Sequence, residues 1–212
     1  MVFCGIDEAG KGSVLGPMVT GGILVSDLAE LDGLGIRDSK QLTPKKREAL
    51  FAEITGSWKT HAVIKTPQDI DSREGTMNAF TAACHAEVLR ALHPDTAYLD
   101  ACDVNAERFG KNVLRLSGIQ AAVISEHKAD ARHMIVGAAS IVAKVTRDHC
   151  IEELCSEFGM IGSGYPSDPA TIAFLTDFIR ANGKPPACAR VSWQTTADIL
   201  ARAAQKSLEE FF

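Results

Sequence analysis

Apolar, β-branched segments alternate with segments of helical periodicity along this chain, and that alternation restricts the fold more than any other feature. A predicted helix over 106–116 separates two short apolar runs, and a strand–helix–strand unit brings its two strands into a parallel arrangement. The earlier strands are spaced as a meander bounded by glycine and proline. We therefore predict an α/β fold with one mixed sheet, whose strands cover residues 2–6, 17–25, 60–65, 97–101 and 121–125.

Helices fill most of the remaining sequence. Thr43 and Pro44 are typical of the N-cap and first position of a helix, which we expect to continue to about Thr55. Further helices are predicted over 76–92 and 137–158, and the rest of the chain reads as helix broken near 182–186. We predict an α/β domain over 1–160, a helical C-terminal subdomain over 161–204 and a short separate segment over 205–212.

Composition is typical of a soluble globular chain. Of 212 residues, 46% are hydrophobic and 23% charged, with no apolar run of membrane-spanning length and no leader before the first strand. The six cysteines include no Cys-x-x-Cys pair, which favours reduced thiols without a zinc site. We expect a cytoplasmic monomer with no membrane partner. The net charge of −5 leaves nucleic-acid binding open, because a local basic face is sufficient.

Two adjacent acids, Asp7 and Glu8, come where the first strand gives way to the turn Gly10-Lys11-Gly12. Neighbouring carboxylates repel each other unless a positive charge lies between them, and hard divalent cations prefer carboxylate oxygens. Glycine at such a turn lets backbone N–H groups come close to a ligand. The pattern indicates phosphate chemistry.

Two further acids, Asp100 and Asp130, lie at or just after later predicted strands. Ligands of open α/β sheets bind at the carboxyl ends of strands, so these side chains can converge with the first pair. Four carboxylates could hold two Mg²⁺ or Mn²⁺ ions about 4 Å apart for phosphodiester hydrolysis. The alternative is that such acids only form turns or cap helices.

A phosphate-binding P-loop is the rival interpretation of the first motif. Gly5, Gly10 and Lys11 have its spacing, but Gly12 stands where Ser or Thr is required. Asp7 and Glu8 would also lie inside the anion cradle and repel the phosphates. Electrostatics excludes this interpretation.

Across its length the chain resembles ribonuclease HII, the type 2 ribonuclease H, and most closely the archaeal members. The resemblance extends from the first motif through the ordered segments Arg37–Thr43, Ser72–Thr76, Tyr98–Ala101, His127–Asp130, Ala138–Val145 and Gly162–Asp168. It implies a ribonuclease H-like mixed five-stranded sheet flanked by helices. The implied activity is metal-dependent cleavage of RNA in RNA/DNA hybrids and 5′ of ribonucleotides embedded in duplex DNA, leaving 3′-hydroxyl and 5′-phosphate ends.

The resemblance also implies roles for individual residues. The family's four catalytic, metal-binding carboxylates match Asp7, Glu8, Asp100 and Asp130. Its Gly-Arg-Gly loop, which contacts the ribonucleotide 2′-hydroxyl and adjacent phosphate, matches Gly10, Lys11 and Gly12. Its sugar-packing tyrosine matches Tyr165. Lys11 departs from the common arginine, keeping the charge but losing the planar fork.

Other basic residues are weaker candidates for nucleic-acid contacts. Ser39 and Lys40 begin a basic stretch, and Lys144 and Arg147 lie about one turn apart on the long predicted helix. Each pair could hold a phosphate or could simply belong to a solvated, salt-bridged helix surface. His127 could shuttle protons near Asp130 or could be structural.

The last eight residues resemble the sliding-clamp (PCNA) interaction motif. One helical turn would bring the three apolar side chains to one side as a plug for a partner's groove, although they could instead fold back on their own domain. The motif residues are Gln205, Leu208, Phe211 and Phe212.

Two other functions remain as alternatives: a related metal nuclease acting on DNA structures, and a non-catalytic, clamp-bound nucleic-acid adaptor. The four carboxylates count against the adaptor, and the Gly-Lys-Gly turn with Tyr165 counts against cleavage of DNA alone.

Overall fold

Five strands form one mixed sheet in the computed structural model, which describes residues 1–36 and 42–209, with side chains described through residue 205. Their order in the sheet is β3-β2-β1-β4-β5. β1 is antiparallel to β2 and parallel to β4, which in turn is parallel to β5. The predicted α/β fold with a mixed five-stranded sheet is confirmed. The strands are β1 (Phe3–Ala9), β2 (Met18–Val25), β3 (Lys59–Lys65), β4 (Thr96–Asp100) and β5 (Ala122–Glu126).

Helices connect and follow the strands, mostly within a few residues of the predicted positions. Two short helices, Pro67–Asp71 and Ala129–Arg132, were not predicted, because five and four residues are too few to establish a helical period. A 3₁₀ turn also lies at Leu28–Leu31. The helices are α1 (Pro44–Ser57), α2 (Pro67–Asp71), α3 (Met77–Leu92), α4 (Ala106–Ser117), α5 (Ala129–Arg132), α6 (Met134–Phe158), α7 (Pro169–Asn182) and α8 (Gln194–Glu209).

The chain divides into two compact units that are not continuous in sequence. The first comprises residues 1–11, 19–64 and 74–146, and the second 12–18, 65–73 and 147–212. The predicted domain boundary at residue 160 stays a prediction. The C-terminal segment of the second compact unit begins at residue 147, within the long helix α6. Within 1–36 and 42–209, no helix combines the length and apolarity that crossing a bilayer requires.

In the first unit, α6 lies directly on one face of the sheet because glycine leaves room for its backbone. A Cβ at Gly5 would stand 2.1 Å from the carbonyl oxygen of Ile135, and a Cβ at Gly21 2.6 Å from the amide nitrogen of Ala143. Real Cβ atoms essentially never come closer than 3.0 Å to such atoms. On the opposite face of the sheet, a Cβ at Gly22 would clash with the Val88 side chain of α3. Helices α6 and α3 therefore pack on opposite faces of the sheet at β2.

The acidic pair lies on β1 rather than after it. The strand was expected to end at residue 6, but it continues to Ala9, and Asp7 and Glu8 pair with Gly21 and Thr20 of β2. Consecutive residues of a strand point to opposite faces of the sheet. The Asp7 carboxylate therefore faces the helices on one side of the sheet, and the Glu8 carboxylate faces those on the other side.

In the second unit, an isolated antiparallel β-bridge joins Leu15 and Ala189, and both residues belong to one cluster of buried apolar side chains. The carbonyl oxygen of Gly164 accepts hydrogen bonds from the amides of Val14 (2.8 Å) and Leu15 (3.1 Å). The amide of Arg190 donates to the carbonyl of Val14 at 2.9 Å. The segment that follows the Gly-Lys-Gly turn is thereby fixed to the loop that carries Tyr165.

Asp168 holds that loop against the start of α7. Its Oδ2 accepts the amide of Ser163 at 2.6 Å and its Oδ1 accepts the amide of Ala170 at 3.0 Å, as an N-cap does. These hydrogen bonds, first among them the one from Ser163, lower the pKa of Asp168 to about 2. A carboxyl with a depressed pKa stabilises the fold above its unfolded value, near 4, and loses that effect as the pH falls toward 2.

We expect Asp168→Ala to lower the thermal midpoint of unfolding at pH 6, and the gap from wild type to close as the pH falls from about 4 to 2. Thermal melts followed by circular dichroism over this pH range measure the gap. Asp177→Ala is the control, since it removes an exposed carboxylate of the same helix that pairs with Arg180. A gap that stays constant down to pH 2 would contradict the assignment.

Candidate active site

Asp7 and Glu8 are each held by a different helix. The Ser140 hydroxyl of α6 donates a hydrogen bond to Asp7 on one face of the sheet. On the other face, His85 Nε2 of α3 lies 2.8 Å from Glu8 Oε2. Asp7 is 6% exposed, and its Oδ1 also accepts the Glu8 amide at 2.7 Å.

Asp100 ends β4 beside Asp7, as the sequence predicted. Its Oδ1 accepts the Ala129 amide of α5 at 2.7 Å, which ties the end of β4 to the short helix that carries Asp130. Burial raises the pKa of Asp7 well above its ordinary value, and the charges of Glu8 and Asp100 raise it further. The Ser140 hydrogen bond offsets only part of this effect. The burial and mutual repulsion of these carboxylates therefore lower the stability of the folded protein.

Asp130 is half-buried in the first turn of α5, directly after Ala129. Across the described ranges 1–36 and 42–209, no three His, Cys, Asp or Glu side chains are already arranged to hold a metal ion. At least one oxygen of each of Asp7, Glu8 and Asp100 is engaged by a hydrogen bond within the protein. The four-carboxylate metal site stays a prediction, and the oxygen donors present are those that Mg²⁺ and Mn²⁺ prefer.

Lys11 lies in the turn after β1, beside Cys102. Its Nζ donates to Asn78 Oδ1 at 2.7 Å and to the carbonyl of Cys102 at 3.2 Å. Gly10 has φ +80°, a left-handed conformation that suits glycine. Burial and then the charge of Glu8 raise the pKa of the Cys102 thiol to about 11. The ammonium group is therefore fixed in an acidic part of the first unit.

Tyr165 lies in the second unit, on the loop before α7. The Arg147 guanidinium is 4.6 Å from the centre of its ring, and Arg147 Nη2 donates to the Ser163 carbonyl at 2.9 Å. Arg147 is 1% exposed, and burial lowers its pKa. Arg147 therefore packs against the tyrosine ring and does not belong to an exposed helix surface. Its contact with a phosphate of the nucleic acid stays a prediction. Gly12, of the same unit, is exposed, with nothing within 4 Å of a Cβ built there.

The remaining candidates are spread along the chain. Lys144 is half-buried on α6, and Gln205 is exposed near the end of α8. The two nitrogens of His127 face the carbonyls of Ala101 (3.2 Å) and Val104 (3.3 Å), which favours the structural interpretation of this histidine. Outside the described part of the chain lie Ser39, Lys40, the Leu208 side chain, Phe211 and Phe212.

Sequence reasoning missed the polar residues of α3, of which His85 contacts Glu8 and Asn78 contacts Lys11. Asn78, Thr81 and His85 lie on one side of α3, at the helical spacing i, i+3 and i+7, yet the helix was predicted from its apolar side chains alone. Phe80, predicted to face the core, is half-buried, whereas Thr81 and His85 are fully buried. The helical spacing of these three polar residues was the available signal.

Comparisons with known proteins agree with this arrangement. A family model described as Ribonuclease HII matches residues 4–196. The chain is 70% identical over 212 residues to the Ribonuclease HII of Methanocorpusculum labreanum, with both chains covered in full.

Solved structures give the same result. The ribonuclease H2 from Pyrococcus horikoshii OT3 matches with a TM-score of 0.92 and 40% identity, over 97% of this chain and 100% of that one. A chain of the PCNA:RNase HII complex from Archaeoglobus fulgidus matches with a TM-score of 0.85 and 41% identity, over 92% of this chain and 96% of that one. The chain therefore belongs to the ribonuclease HII family and is an endoribonuclease.

Proposed function

We propose that this enzyme cleaves RNA in RNA/DNA hybrids and cuts duplex DNA 5′ of an embedded ribonucleotide, leaving 3′-hydroxyl and 5′-phosphate ends. In this proposal it acts as a cytoplasmic monomer. The observation that carries it is the buried carboxylate of Asp7, whose pKa is raised by burial and by the charges of Glu8 and Asp100. Such an arrangement costs stability unless a cation compensates it, and so favours a metal-dependent function.

Asp7, Glu8, Asp100 and Asp130 would hold Mg²⁺ or Mn²⁺, with two ions as the expected number. Bound divalent ions activate water and stabilise the charge that develops during phosphodiester hydrolysis. The protein's part is to hold the carboxylates in place. The Ser140 hydroxyl donates to Asp7 and the Ala129 amide to Asp100, while His85 Nε2 lies 2.8 Å from Glu8 Oε2.

The turn after β1 would recognise the ribonucleotide. Only RNA carries the 2′-hydroxyl, and the exposed backbone around Gly12 can approach it closely. Lys11 would contact the adjacent phosphate. Because lysine lacks the bidentate geometry of arginine, its position depends on Asn78 and the Cys102 carbonyl, which fix the ammonium group.

Tyr165 would supply the surface on which the sugar beside the cleavage site packs. Its ring is half-buried and lies against the Arg147 guanidinium, which limits its rotation. The Gly164 carbonyl binds the amides of Val14 and Leu15, so the tyrosine loop and the segment after Gly12 are connected by backbone hydrogen bonds. A fixed pairing of these two elements suits the recognition of an RNA-to-DNA junction.

A duplex DNA that contains one ribonucleotide tests this function. We expect a single cut 5′ of the ribonucleotide in Mg²⁺ or Mn²⁺ and none in EDTA. Asp100→Asn should reduce the rate at least about a hundredfold, since even loss of a residue that only supports a metal ligand costs up to this much. Single-turnover cleavage measured on denaturing gels gives the rates.

Asp177→Asn, which neutralises an exposed acid of α7, is the matched control and should cleave at the wild-type rate. Undiminished cutting by Asp100→Asn, or cutting that persists in EDTA, would contradict the proposal. Equal cutting of an all-DNA duplex of the same sequence would favour the alternative nuclease acting on DNA structures.

We also propose a sliding-clamp partner, bound through Gln205, Leu208, Phe211 and Phe212. The support is the motif itself together with the PCNA complex formed by the related Archaeoglobus fulgidus protein. A glutamine followed by an aliphatic and two aromatic residues can fill an apolar groove of a partner. Clamp binding would recruit the enzyme to DNA replication and to ribonucleotide excision repair.

Deletion of Phe211 and Phe212 should abolish binding to an archaeal PCNA, because the aromatic anchors of such a motif carry most of the binding energy. Surface plasmon resonance with immobilised PCNA measures the binding. Cleavage of a short duplex without PCNA should be unchanged, and Glu209→Gln serves as the control for an altered C-terminus. Retained PCNA binding by the deletion would exclude this role for the motif.

A further inference from the structure

His85 is a fully buried polar residue whose side chain contacts a proposed metal ligand, Glu8. Its exposed fraction is 0%, and its Nε2 lies 2.8 Å from Glu8 Oε2. A carboxylate oxygen accepts hydrogen bonds, so the imidazole donates from Nε2.

The environment of the other ring nitrogen indicates that apolar packing alone does not explain why a histidine occupies this position. Nδ1 is buried, and no described residue forms a hydrogen bond with it. The ring packs edge-on against Phe109 of α4, with 5.1 Å between ring centres and 82° between planes. A buried polar atom without a partner costs free energy, which an apolar side chain would avoid. The hydrogen bond to Glu8 is the contact that offsets this cost.

The helix that carries His85 is a rigid support. α3 runs for 16 residues, is capped by Thr76, and packs through Val88 close to Gly22 of the sheet. The carboxylate of Glu8, by contrast, ends a side chain with three rotatable bonds. A donor fixed on α3 therefore restricts the carboxylate to one orientation.

We propose that His85 is a positioning residue: it holds Glu8 Oε2 so that Oε1 is directed to the divalent cation. This inference rests on the proposed function, because it takes Glu8 to be a metal ligand. His85 is not expected to touch the cation, the water or the nucleic acid. Binding of the ion fixes the orientation of the Glu8 carboxylate, which costs conformational entropy. Because His85 already restricts that orientation, less entropy is lost when the ion binds, and the affinity for the ion is higher.

Three substitutions of His85 test whether its role is to donate a hydrogen bond from the position of Nε2. The amide nitrogen of His85→Gln can occupy the position of Nε2, whereas that of His85→Asn corresponds to Nδ1 and falls short of Glu8. His85→Leu removes both nitrogens while retaining apolar volume. Phe109→Leu is the packing control, because it loosens the contact with the ring and leaves the hydrogen bond to Glu8 in place.

The test is isothermal titration of Mn²⁺ into the full-length protein without nucleic acid. We expect the dissociation constant to rise about 10- to 100-fold for His85→Asn and His85→Leu, and less than about threefold for His85→Gln and Phe109→Leu. With saturating Mn²⁺, KM for a hybrid duplex should stay at the wild-type value in all four variants.

Equal Mn²⁺ affinities of His85→Gln and His85→Asn would overturn the inference, as would a Phe109→Leu affinity as weak as that of His85→Asn. Glu8→Gln separates this inference from the function it rests on. If Glu8→Gln weakens Mn²⁺ binding but His85→Asn does not, the positioning role alone fails. If Glu8→Gln binds Mn²⁺ as the wild type does, the proposed metal site fails with it.

Discussion

The repulsion among carboxylates gathered around the central strand is the interaction on which the rest of this structure depends. Asp7 is buried close to the charges of Glu8 and Asp100, and its raised pKa expresses the cost. The alternation of a β-strand moderates that cost by directing Asp7 and Glu8 to opposite faces. Each carboxylate then receives a hydrogen-bond donor from a different helical layer, Ser140 from α6 and His85 from α3.

The packing of the first unit follows from this requirement. A side chain as short as that of Ser140 reaches Asp7 only if the two backbones come close, and Gly5 and Gly21 permit that approach for α6. Side chains larger than hydrogen at these positions would force the helix away from the sheet and Ser140 away from Asp7. Gly5 and Gly21 thus help to fix the surroundings of Asp7, although neither contributes a side chain to the candidate site.

Buried guanidinium groups organise the second unit. Arg190 is fully buried, and its Nε and Nη2 donate to the Gly16 carbonyl at 3.1 and 3.0 Å, while its guanidinium lies 4.9 Å from the Trp193 ring centre. Burial, followed by the charge of Arg147, lowers the pKa of Arg190 to about 9. Arginine tolerates such burial because its planar fork satisfies several acceptors and stacks on aromatic rings. Two guanidinium groups therefore stabilise the loops that carry Gly16 and Tyr165.

Much of this arrangement could be predicted from the sequence. Strand–helix alternation gave the mixed sheet, and the order of acids along the strands indicated that Asp7, Glu8 and Asp100 would meet. The supporting residues escaped prediction for a physical reason: a histidine or asparagine on an amphipathic helix has no local pattern that identifies its partner. Only the tertiary approach of α3 to β1 gives Asn78 and His85 their roles. The discontinuous second unit escaped prediction likewise, because long-range backbone hydrogen bonds join residues 12–18 to the C-terminal part.

Thermal unfolding with increasing Mn²⁺ tests the central claim, that the clustered carboxylates cost stability until a divalent cation binds. At a hundredfold excess over its dissociation constant the ion should add about 2.7 kcal/mol to the free energy of unfolding, a rise of about 5–10 °C for a chain of this size. Asp7→Asn without metal should be at least as stable as the wild type and should lose this response. An unchanged wild-type midpoint in Mn²⁺, or an Asp7→Asn variant that is less stable yet responds fully, would contradict the account.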